Sequence, residues 1–355
     1  MWVVVACSAG LLSWWLTGRL ASVTSSMVGS LDHPNERSLH TQPTPRSGGV
    51  AILSGVAIGW AASVAWFAVG SWRNGMQADR VTPAGLWILG AIGLVTVVSY
   101  LDDRKGLPIG FRFAVQSVAA LMAVWGAGLT LPSVVIPGLA TISLGLVSVP
   151  ATILFLLWIT NLYNFMDGMD GFAGGMTVIG FGFLAYFGWR AGHPSMLFVT
   201  AAVSASALGF LFHNFPPARI FMGDVGSIPI GFTAGLLMLV GVRDGLFDLW
   251  VPVLIFSPFI VDATITVIRR AWHVQRVWQA HREHYYQRLV LSGWSHRKTV
   301  LAEYAVMVSC GGLALLYHAA EDAWRLAVLG LWMLLFLVLA SAVHARERHV
   351  EHADR

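Results

Sequence analysis

The sequence predicts an all-α membrane protein, a polytopic bundle of transmembrane helices. Of its 355 residues, 56% are hydrophobic and 11% are charged, and the mean hydropathy is +0.68. This composition leaves too little polar surface to coat a water-soluble globule. Apolar runs recur along the chain, each near the ~20 residues that a spanning helix needs, whereas a spanning β-strand needs only ~10 alternating residues. The run lengths therefore favour helices.

Eleven spans account for the apolar runs, and ten are the alternative because one connection is ambiguous. The predicted spans are residues 1–20, 48–70, 84–101, 113–131, 147–163, 172–190, 195–212, 227–243, 249–268, 299–318 and 324–343. The fourth connection, "LPSVVIPGLATISLGLVS", is apolar but contains Pro132, Pro137 and several glycines. We expect it to form a re-entrant or surface-lying hairpin. Residues 1–355 are predicted to form one domain without an internal repeat.

The basic residues predict the orientation of the bundle. Arg19 follows the first apolar run, and no basic segment precedes that run, which favours a retained first helix with a periplasmic N-terminus. Eleven spans then place the C-terminus in the cytoplasm. All but five of the 22 Lys and Arg residues fall on the cytoplasmic side. The five exceptions are Arg73, Arg80, Arg190, Arg243 and Arg325.

Charge and cysteine usage exclude two other classes of protein. The net charge is +4, but the basic residues are scattered among short loops and form no stripe, so we predict no nucleic-acid partner. The bilayer is the expected partner of this surface. Cys7 and Cys310 lie in apolar runs without a CxxC spacing, which argues against a metal site or a disulfide framework.

Polar residues concentrate in the connections assigned to the cytoplasmic face. These five loops are residues 29–47, 102–112, 161–171, 213–227 and 269–298. The predicted outer loops are short and contain nothing comparable. This asymmetry predicts a functional site at the cytoplasmic surface of the membrane.

Three of these loops contain acidic residues, and each of the three starts where a span reaches the membrane surface. Their acidic residues are Asp102, Asp103, Asp167, Asp170 and Asp224. An isolated Asp-Asp pair would suggest only a solvated helix end, but three such loops favour convergence at one depth. Clustered carboxylates repel unless a cation compensates, and oxygen ligands suit Mg²⁺, with Mn²⁺ as the alternative. A divalent cation in turn suits a phosphate-bearing substrate.

Polar residues beside these acids suggest how the site is lined. Asn161, Asn164 and Asp167 are spaced by three, so a helix would point them to one side, into the bundle. In "FMGDVGS", Ser227 and the first free amides of the next helix suggest an anion site beside Asp224.

Two basic loops are candidates for phosphate contacts. His281 and His284 are predicted to share a helical face with Arg288, while Tyr285 and Tyr286 would rest at the headgroup level. No third strong ligand for zinc is nearby. A simple interfacial amphipathic helix is the alternative.

The first loop presents the same choice. Arg37, His40 and Arg46 either contact substrate phosphate or form a basic contact with anionic lipid.

Jointly, these loops resemble those of the polyprenyl-phosphate N-acetylhexosamine-1-phosphate transferases, which include the phospho-N-acetylmuramoyl-pentapeptide translocase of peptidoglycan synthesis. The matching motifs are "DHPNERSLHTQPTPRSGG", "LDDRKGL", "NFMDGMDG", "FMGDVGS" and "HREHYYQRL". The resemblance covers nearly the whole chain, residues 30–300 most firmly. The segment 43–46 before Gly48 and Gly49, and the eleventh span, resemble more closely the branch that initiates O-antigen and enterobacterial antigen.

The resemblance implies a reaction and a location. A sugar-1-phosphate would pass from a UDP-linked N-acetylated sugar to undecaprenyl phosphate with Mg²⁺, and UMP would be released. The reaction would take place at the cytoplasmic face of the bacterial inner membrane. The sugar stays open among GlcNAc, GalNAc, FucNAc and QuiNAc, as do the glycan, a covalent intermediate and the oligomeric state, with a homodimer as one option.

The resemblance also implies roles for individual residues. Asp224 would be the metal ligand, Asp102 and Asp103 would lie at the reacting phosphates, and Asp167 and Asn164 would complete the catalytic centre. Asp170 resembles a carboxylate that contacts the nucleobase, and Phe221 an aromatic that stacks on uracil. The remaining substrate-binding assignments are His281, Arg282, His284, Arg46, Lys105 and Arg112.

Three features depart from the family pattern or need a role. Arg112 stands in "GFR", where relatives often have a Lys, so either Arg112 replaces that Lys or the contact is lost. Tyr285 and Tyr286 stand where additional His is common. Asp262, two turns before Arg269, would either form a structural pair or orient the basic loop.

Two other functions fit the sequence less well. A transporter would use Asp and His as a proton relay, but such groups usually lie near the bilayer midplane and accompany inverted repeats. A catalytically inactive scaffold is disfavoured by the complete acidic set.

Overall fold

A computed structural model describes residues 1–22, 31–32, 43–73, 83–275 and 281–353. Within these ranges the chain is almost entirely helical, so the predicted polytopic helical fold is confirmed. Most of the first predicted loop, including Arg37 and His40, lies outside the described residues.

Thirteen α-helices follow one another along the described chain. They are α1 (Trp2–Ser22), α2 (Gly48–Arg73), α3 (Pro83–Lys105), α4 (Ile109–Leu121), α5 (Ser148–Phe165), α6 (Phe172–Arg190), α7 (Pro194–Asn214), α8 (Asp224–Arg243), α9 (Trp250–Ile255), α10 (Ser257–Trp272), α11 (Tyr285–Leu291), α12 (His296–Ala319) and α13 (Asp322–Ala353). A π-helical turn, Met122–Gly126, continues α4, and a 3₁₀ turn, Gly145–Val147, precedes α5.

Nine helices of the described chain are long and apolar enough to cross a membrane. The other two predicted spans correspond to α2 and to the α9–α10 pair. In α2, Gly48–Ala62 is counted as a shorter apolar helix. The prediction of one continuous ninth span is wrong, because the helix breaks at Phe256. Pro258 has no amide hydrogen and fits the first turn of a new helix, which explains the break.

The fourth predicted span, 113–131, is misplaced. The helix begins earlier, at Ile109, and its π-helical turn ends at Gly126. At Gly126 the indole of Trp87 lies against the backbone, since an added Cβ would be 2.2 Å from Trp87 Cδ2. Gly128 then adopts a φ of +67°, which takes the chain out of the helix.

The ambiguous fourth connection is a β-hairpin, as the hairpin prediction required. β3 (Ser133–Ile136) pairs antiparallel with β4 (Ala140–Ser143), and Gly138 in the turn has a φ of +68°. β1 (Leu31–Asp32) and β2 (Thr44–Pro45) form a second, shorter antiparallel pair in the first loop. The indole of Trp250 donates a 2.7 Å hydrogen bond to the carbonyl of Val135 and holds the β3–β4 hairpin against α9.

The centre of the bundle is α8. Almost all of its residues are buried, and α3, α5 and α2 pack around it. α7 packs between α1 and α6, and a second apolar cluster joins α3 and α4 to α8. α13 is the opposite case, since most of its apolar residues are exposed. The N-terminus of α8 therefore lies where several helices end, and this position defines the site.

Candidate active site

The five predicted loops meet at one end of the bundle, which we call the site end. Arg46 contacts Asp103, and Asn164 contacts Asp224. The hydroxyl of Tyr286, from the fifth loop, donates a 3.4 Å hydrogen bond to the carbonyl of Phe165. The described parts of loops that are distant in sequence therefore form one surface, and the predicted convergence is observed.

The carboxylate of Asp103 caps the central helix. Its Oδ2 accepts a 2.8 Å hydrogen bond from the amide of Val225, and its Oδ1 accepts one of 3.2 Å from the amide of Asp224. An anion at this position is favoured by the unpaired amides and the dipole of a helix N-terminus. The guanidinium of Arg46 completes the contact, with Nη2 3.2 Å from Oδ1 and 3.0 Å from the backbone oxygen of Asp103.

This cap corrects the predicted anion site at the start of α8. The amides of Asp224 and Val225 are the groups that were expected to bind phosphate, but they bind Asp103. The hydroxyl of Ser227 is engaged as well, because it accepts a bond from Asn164 and donates one to the carbonyl of Gly223. The negative charge at this helix start therefore comes from within the protein.

Asp102 faces a different group from its neighbour. Its Oδ1 accepts a 2.6 Å hydrogen bond from the amide of Leu107, and its Oδ2 lies 2.6 Å from Nη1 of Arg112. The same Nη1 is 3.2 Å from Oδ2 of Asp224. Arg112 thus bridges two carboxylates and lies inside the acidic cluster.

Asn164 and Asn161 do not line one surface as their spacing suggested. The amide nitrogen of Asn164 donates 2.9 Å bonds to Oδ1 of Asp224 and to Oγ of Ser227. Asn161 donates instead to Oε1 of Gln116 in α4, at 2.7 Å. Both side chains face the bundle, but only Asn164 belongs to the acidic cluster.

Asp167 lies beyond the end of α5, in a partly buried position facing three other acids. Burial, together with the charges of Asp224, Asp103 and Asp32, raises the pKa of Asp167 well above its ordinary value of 3.8. A hydrogen bond from the amide of Gly223 only partly offsets this effect. Asp32 is a site-end acid to which the sequence analysis gave no role, although it opens the "DHPNERS" motif.

The loop before α2 is fastened to the start of α8 through backbone bonds. The amide of Phe221 donates to the carbonyl of Pro45 at 2.7 Å, and the amide of Gly48 donates to the carbonyl of Phe221 at 2.9 Å. Gly49 and Gly226 are in direct contact, since a Cβ on Gly49 would lie 2.3 Å from the nitrogen of Gly226. We call this contact the glycine seam. It fixes Phe221 and Arg46 beside the acidic cluster.

Asp170 lies apart from the acidic cluster. Its Oδ2 accepts a 3.0 Å hydrogen bond from the amide of Ala218 and is 3.4 Å from Nδ1 of His296. The carboxylate therefore faces the loop between α7 and α8 and the start of α12. Its predicted contact with the nucleobase stays a prediction.

The histidine loop, residues 281–284, is not helical, so the prediction that His281, His284 and Arg288 share a helical face is wrong. α11 begins only at Tyr285. Asp262 sets this start, since its Oδ1 accepts a 3.0 Å bond from the amide of Tyr285 and lies 3.1 Å from Nδ1 of His284. Of the two roles considered for Asp262, these contacts match orientation of the basic loop.

The placement of Tyr286 at the headgroup level is also wrong. Its side chain is fully buried, with its ring centroid 4.7 Å from that of Phe172. An added Cβ on Gly168 would lie 2.4 Å from its hydroxyl, which shows how closely the third and fifth loops pack. Tyr286 therefore joins the two loops and does not anchor the protein in the lipid.

The basic side chains of the histidine loop differ in their surroundings. Burial, then the neighbouring His284 and Arg270, lower the pKa of His281 to about 4, so its imidazole is neutral at pH 7. Glu283 pairs with Arg269 and Arg270 of α10, which fastens the loop. His284 is buried against Asp262. Arg282 is partly buried, and Lys105, at the end of α3, is exposed.

The acidic cluster has the chemistry of a divalent-cation site, although its groups are not arranged around one. Within the described ranges, no three His, Cys, Asp or Glu side chains are placed to hold a metal ion. The guanidinium of Arg112 lies between Asp102 and Asp224 instead. Mg²⁺ prefers hard oxygen donors and negative charge, so the chemistry of the acidic side chains in this cluster fits Mg²⁺.

Comparison with known proteins identifies the family of this chain. The model of glycosyl transferase family 4 matches residues 86–242, which contain three of the five loops. The Probable undecaprenyl-phosphate N-acetylglucosaminyl 1-phosphate transferase of Bacillus subtilis (strain 168) is 34% identical over 308 residues, covering 86% of this chain and 82% of that protein.

Two further relatives also match most of this chain. The decaprenyl-phosphate N-acetylglucosaminephosphotransferase of Mycolicibacterium smegmatis (strain ATCC 700084 / mc(2)155) is 30% identical, over 85% of this chain and 78% of that protein. The phospho-N-acetylmuramoyl-pentapeptide-transferase of Acaryochloris marina (strain MBIC 11017) is 32% identical, over 74% of this chain and 69% of that protein. Because the identity extends across most of each protein, this chain belongs to glycosyl transferase family 4.

Proposed function

We propose that this protein transfers an N-acetylated sugar-1-phosphate from a UDP-sugar to undecaprenyl phosphate and releases UMP. The product would be the lipid-linked first sugar of a surface polysaccharide such as O-antigen. Membership of the family and the names of the relatives support a polyprenyl phosphate as acceptor. The observation that carries the proposal is the meeting of three loops at the end of the bundle, through Asp103, Asn164 with Asp167, and Asp224.

The proposed location explains why the site lies at the end of the helices. One substrate has a prenyl chain in the bilayer and the other is a soluble nucleotide, so they meet only at the interface. We place the site end on the cytoplasmic side of the bacterial inner membrane, where the positive-inside rule puts its basic loops.

Both reactants are anions, and their repulsion must be offset before reaction. We propose that Asp224, with Asp167 beside it, holds Mg²⁺, with Mn²⁺ as a substitute. When bound, the cation would neutralise phosphate charge. The side chains of Arg46, Lys105 and Arg112 add positive charge from this chain. Arg112 would exchange one of its carboxylate partners for a phosphate oxygen when substrate enters.

The chemical step is a displacement at phosphorus. An oxygen of the lipid phosphate forms a bond to the β-phosphorus of the UDP-sugar, and the bond from that phosphorus to the oxygen bridging the α- and β-phosphates breaks. That oxygen and its electron pair leave with UMP. A phosphate monoester is largely ionised at neutral pH, with a second pKa near ~6, so a strong general base is hardly needed. Positioning by Asn164 and the fixed loops therefore provides much of the catalysis.

The nucleotide sugar would lie between the glycine seam and the histidine loop. Phe221 is the proposed stacking residue for uracil, and Asp170 is the proposed contact to the edge of the base. His281, Arg282 and His284 would contact the phosphates. Because His281 is neutral before binding, it would act there as a hydrogen-bond donor and not as a fixed cation.

One assay tests the proposal. Purified protein would receive undecaprenyl phosphate, Mg²⁺ and, in separate reactions, the UDP-linked forms of GlcNAc, GalNAc, FucNAc and QuiNAc. We expect UMP and a lipid diphosphate sugar in equal amounts with at least one donor. Folded protein that yields neither product with any donor would refute the proposal, and transport of a UDP-sugar without UMP release would favour a carrier.

A further inference from the structure

We propose that the C-terminal end of α13 positions the histidine loop through the ion pair between Glu347 and Arg288. Arg288 lies on α11, directly after the loop. The inference rests on the proposed function, because the binding of nucleotide phosphates by this loop is part of that proposal. It adds α13, which touches none of the proposed reacting groups, to the residues that determine affinity for the UDP-sugar.

α11 needs external support to stay in place. It has seven residues, Tyr285–Leu291, fewer than the ~12 that even a favourable isolated helix requires. Asp262 holds its first turn through the amides of Tyr285 and Tyr286. That contact holds the first turn, and a second support lies further along the helix.

α13 supplies this second support with three contacts. Both oxygens of the Glu347 carboxylate accept hydrogen bonds from the Arg288 guanidinium, one of them 2.6 Å long from Nε. Nη2 of Arg346 donates to the carbonyl of Ser292 at 3.2 Å, directly after the last turn of α11. The ring of His344 lies 6.1 Å from that of Tyr285, centroid to centroid.

The sequence of α13 places these groups on one face. Val343, Arg346 and Glu347 occupy positions i, i+3 and i+4, and Val343 is buried against the bundle. The helix has 32 residues, which gives a length of about 48 Å at 1.5 Å per residue. A hydrocarbon core of about 30 Å leaves several turns to project past the membrane, where they reach α11.

The pair is sheltered enough to hold α11 in register. The Arg288 side chain is 10% exposed and that of Glu347 is 30% exposed, and the contact is bidentate. Such a fork constrains orientation as well as distance, unlike a single contact between flexible surface charges. If α11 shifts, Tyr285 leaves Asp262, and the adjacent His284 moves with it.

The test compares substrate affinities in single and paired variants. Glu347→Gln and Arg288→Gln should each raise KM for the UDP-sugar by about fivefold to tenfold, while kcat and KM for undecaprenyl phosphate stay within about twofold. The exchanged pair, Arg288→Glu with Glu347→Arg, should restore KM for the UDP-sugar to within about twofold of the parent. Hydrogen exchange of the α11 amides should rise in the single variants and fall back in the pair.

Glu321→Gln is the matched control, because this exposed acid precedes α13 at its other end. It should change neither KM nor exchange in α11. Unchanged exchange in α11 of Glu347→Gln would overturn the inference. Equal increases in both KM values without rescue by the exchanged pair would also overturn it, since they indicate general destabilisation. Hydrogen exchange needs no turnover. It therefore tests whether the Glu347–Arg288 ion pair holds α11 even if no UDP-sugar reacts and the proposed function fails.

Discussion

Acidic side chains at the two ends of the bundle differ in how fully they are paired with cations and hydrogen-bond donors. At the far end from the site, Asp244 accepts 2.7 Å and 3.1 Å hydrogen bonds from Arg243 and lies 3.3 Å from His193. Asp248 accepts 2.9 Å bonds from the hydroxyl of Tyr317 and the amide of Trp250. Each of these acids has partners that satisfy its charge or its oxygens.

Within the acidic cluster at the site end, the acids outnumber the guanidinium groups that contact them in the described part of the chain. Arg112 and Arg46 are the guanidinium partners of the cluster formed by Asp102, Asp103, Asp167 and Asp224. The pKa values reflect the difference, since hydrogen bonding to Arg243 lowers the pKa of Asp244, whereas burial and neighbouring acids raise that of Asp167. The acidic cluster, whose acids outnumber their guanidinium partners, is therefore suited to receive positive charge.

The largest effect on transfer should come from removing one negative charge of the acidic cluster. Asp224→Asn keeps the shape of the side chain but removes the proposed metal ligand, so transfer should fall by about 10³-fold or more. UMP release by purified protein measures this effect. Amounts in the membrane should stay normal, because the amide has the size of the carboxylate and loses only one hydrogen bond, to Asn164 or to Arg112.

Asp244→Asn is the matched control, since it removes the same charge just beyond the other end of α8. Transfer by this variant should stay within about twofold of the parent. Near-normal turnover by Asp224→Asn, or equal losses in both variants, would contradict the contrast between the ends.

A second substitution tests whether Asp103 stabilises the protein as the cap of α8. Asp103→Asn places an NH₂ group against the amides of Asp224 and Val225 or against Arg46, so one hydrogen bond becomes a repulsion. The free energy of unfolding should fall by about 1–3 kcal/mol. Thermal unfolding in detergent measures this loss. An unchanged midpoint would show that Asp103 is not a structural cap.

A smaller effect is expected at Phe221, which lies beside the glycine seam. Phe221→Ala removes the proposed stacking surface while its backbone bonds to Pro45 and Gly48 remain. Apparent KM for the UDP-sugar should rise about tenfold, since stacking of a base on an aromatic ring contributes about 1–3 kcal/mol. KM for undecaprenyl phosphate is the internal control. An unchanged KM for the UDP-sugar would remove Phe221 from the uracil site.

The smallest effect concerns pH. The pKa of Asp167 is raised in the folded state, so between 3.8 and that higher value the folded protein binds more protons than the unfolded protein. Stability of cation-free protein should therefore fall as pH rises through this window. Asp167→Asn should flatten the slope, and added Mg²⁺ should reduce it. A slope equal to the parent's in the variant would contradict the raised pKa.

Local sequence identified the helices and the loops, but not all of the partners within them. Adjacent residues on a helix point about 100° apart, which explains why Asp102 and Asp103 bind different groups. The partner of Arg112 depends on where α8 lies relative to α4, and no local spacing encodes that. Asp262 sets the start of α11 through a contact 23 residues along the chain, so the helical periodicity around His281 was misleading.

The glycine seam makes the contact between α2 and α8 rigid. Gly49 and Gly226 touch backbone to backbone, which leaves no room even for a methyl group between α2 and α8. The glycine seam therefore forms a rigid side of the site. The histidine loop with α11, on another side of the site, is held through the side chains of Asp262 and Glu347, which can change their partners without any change in helix packing.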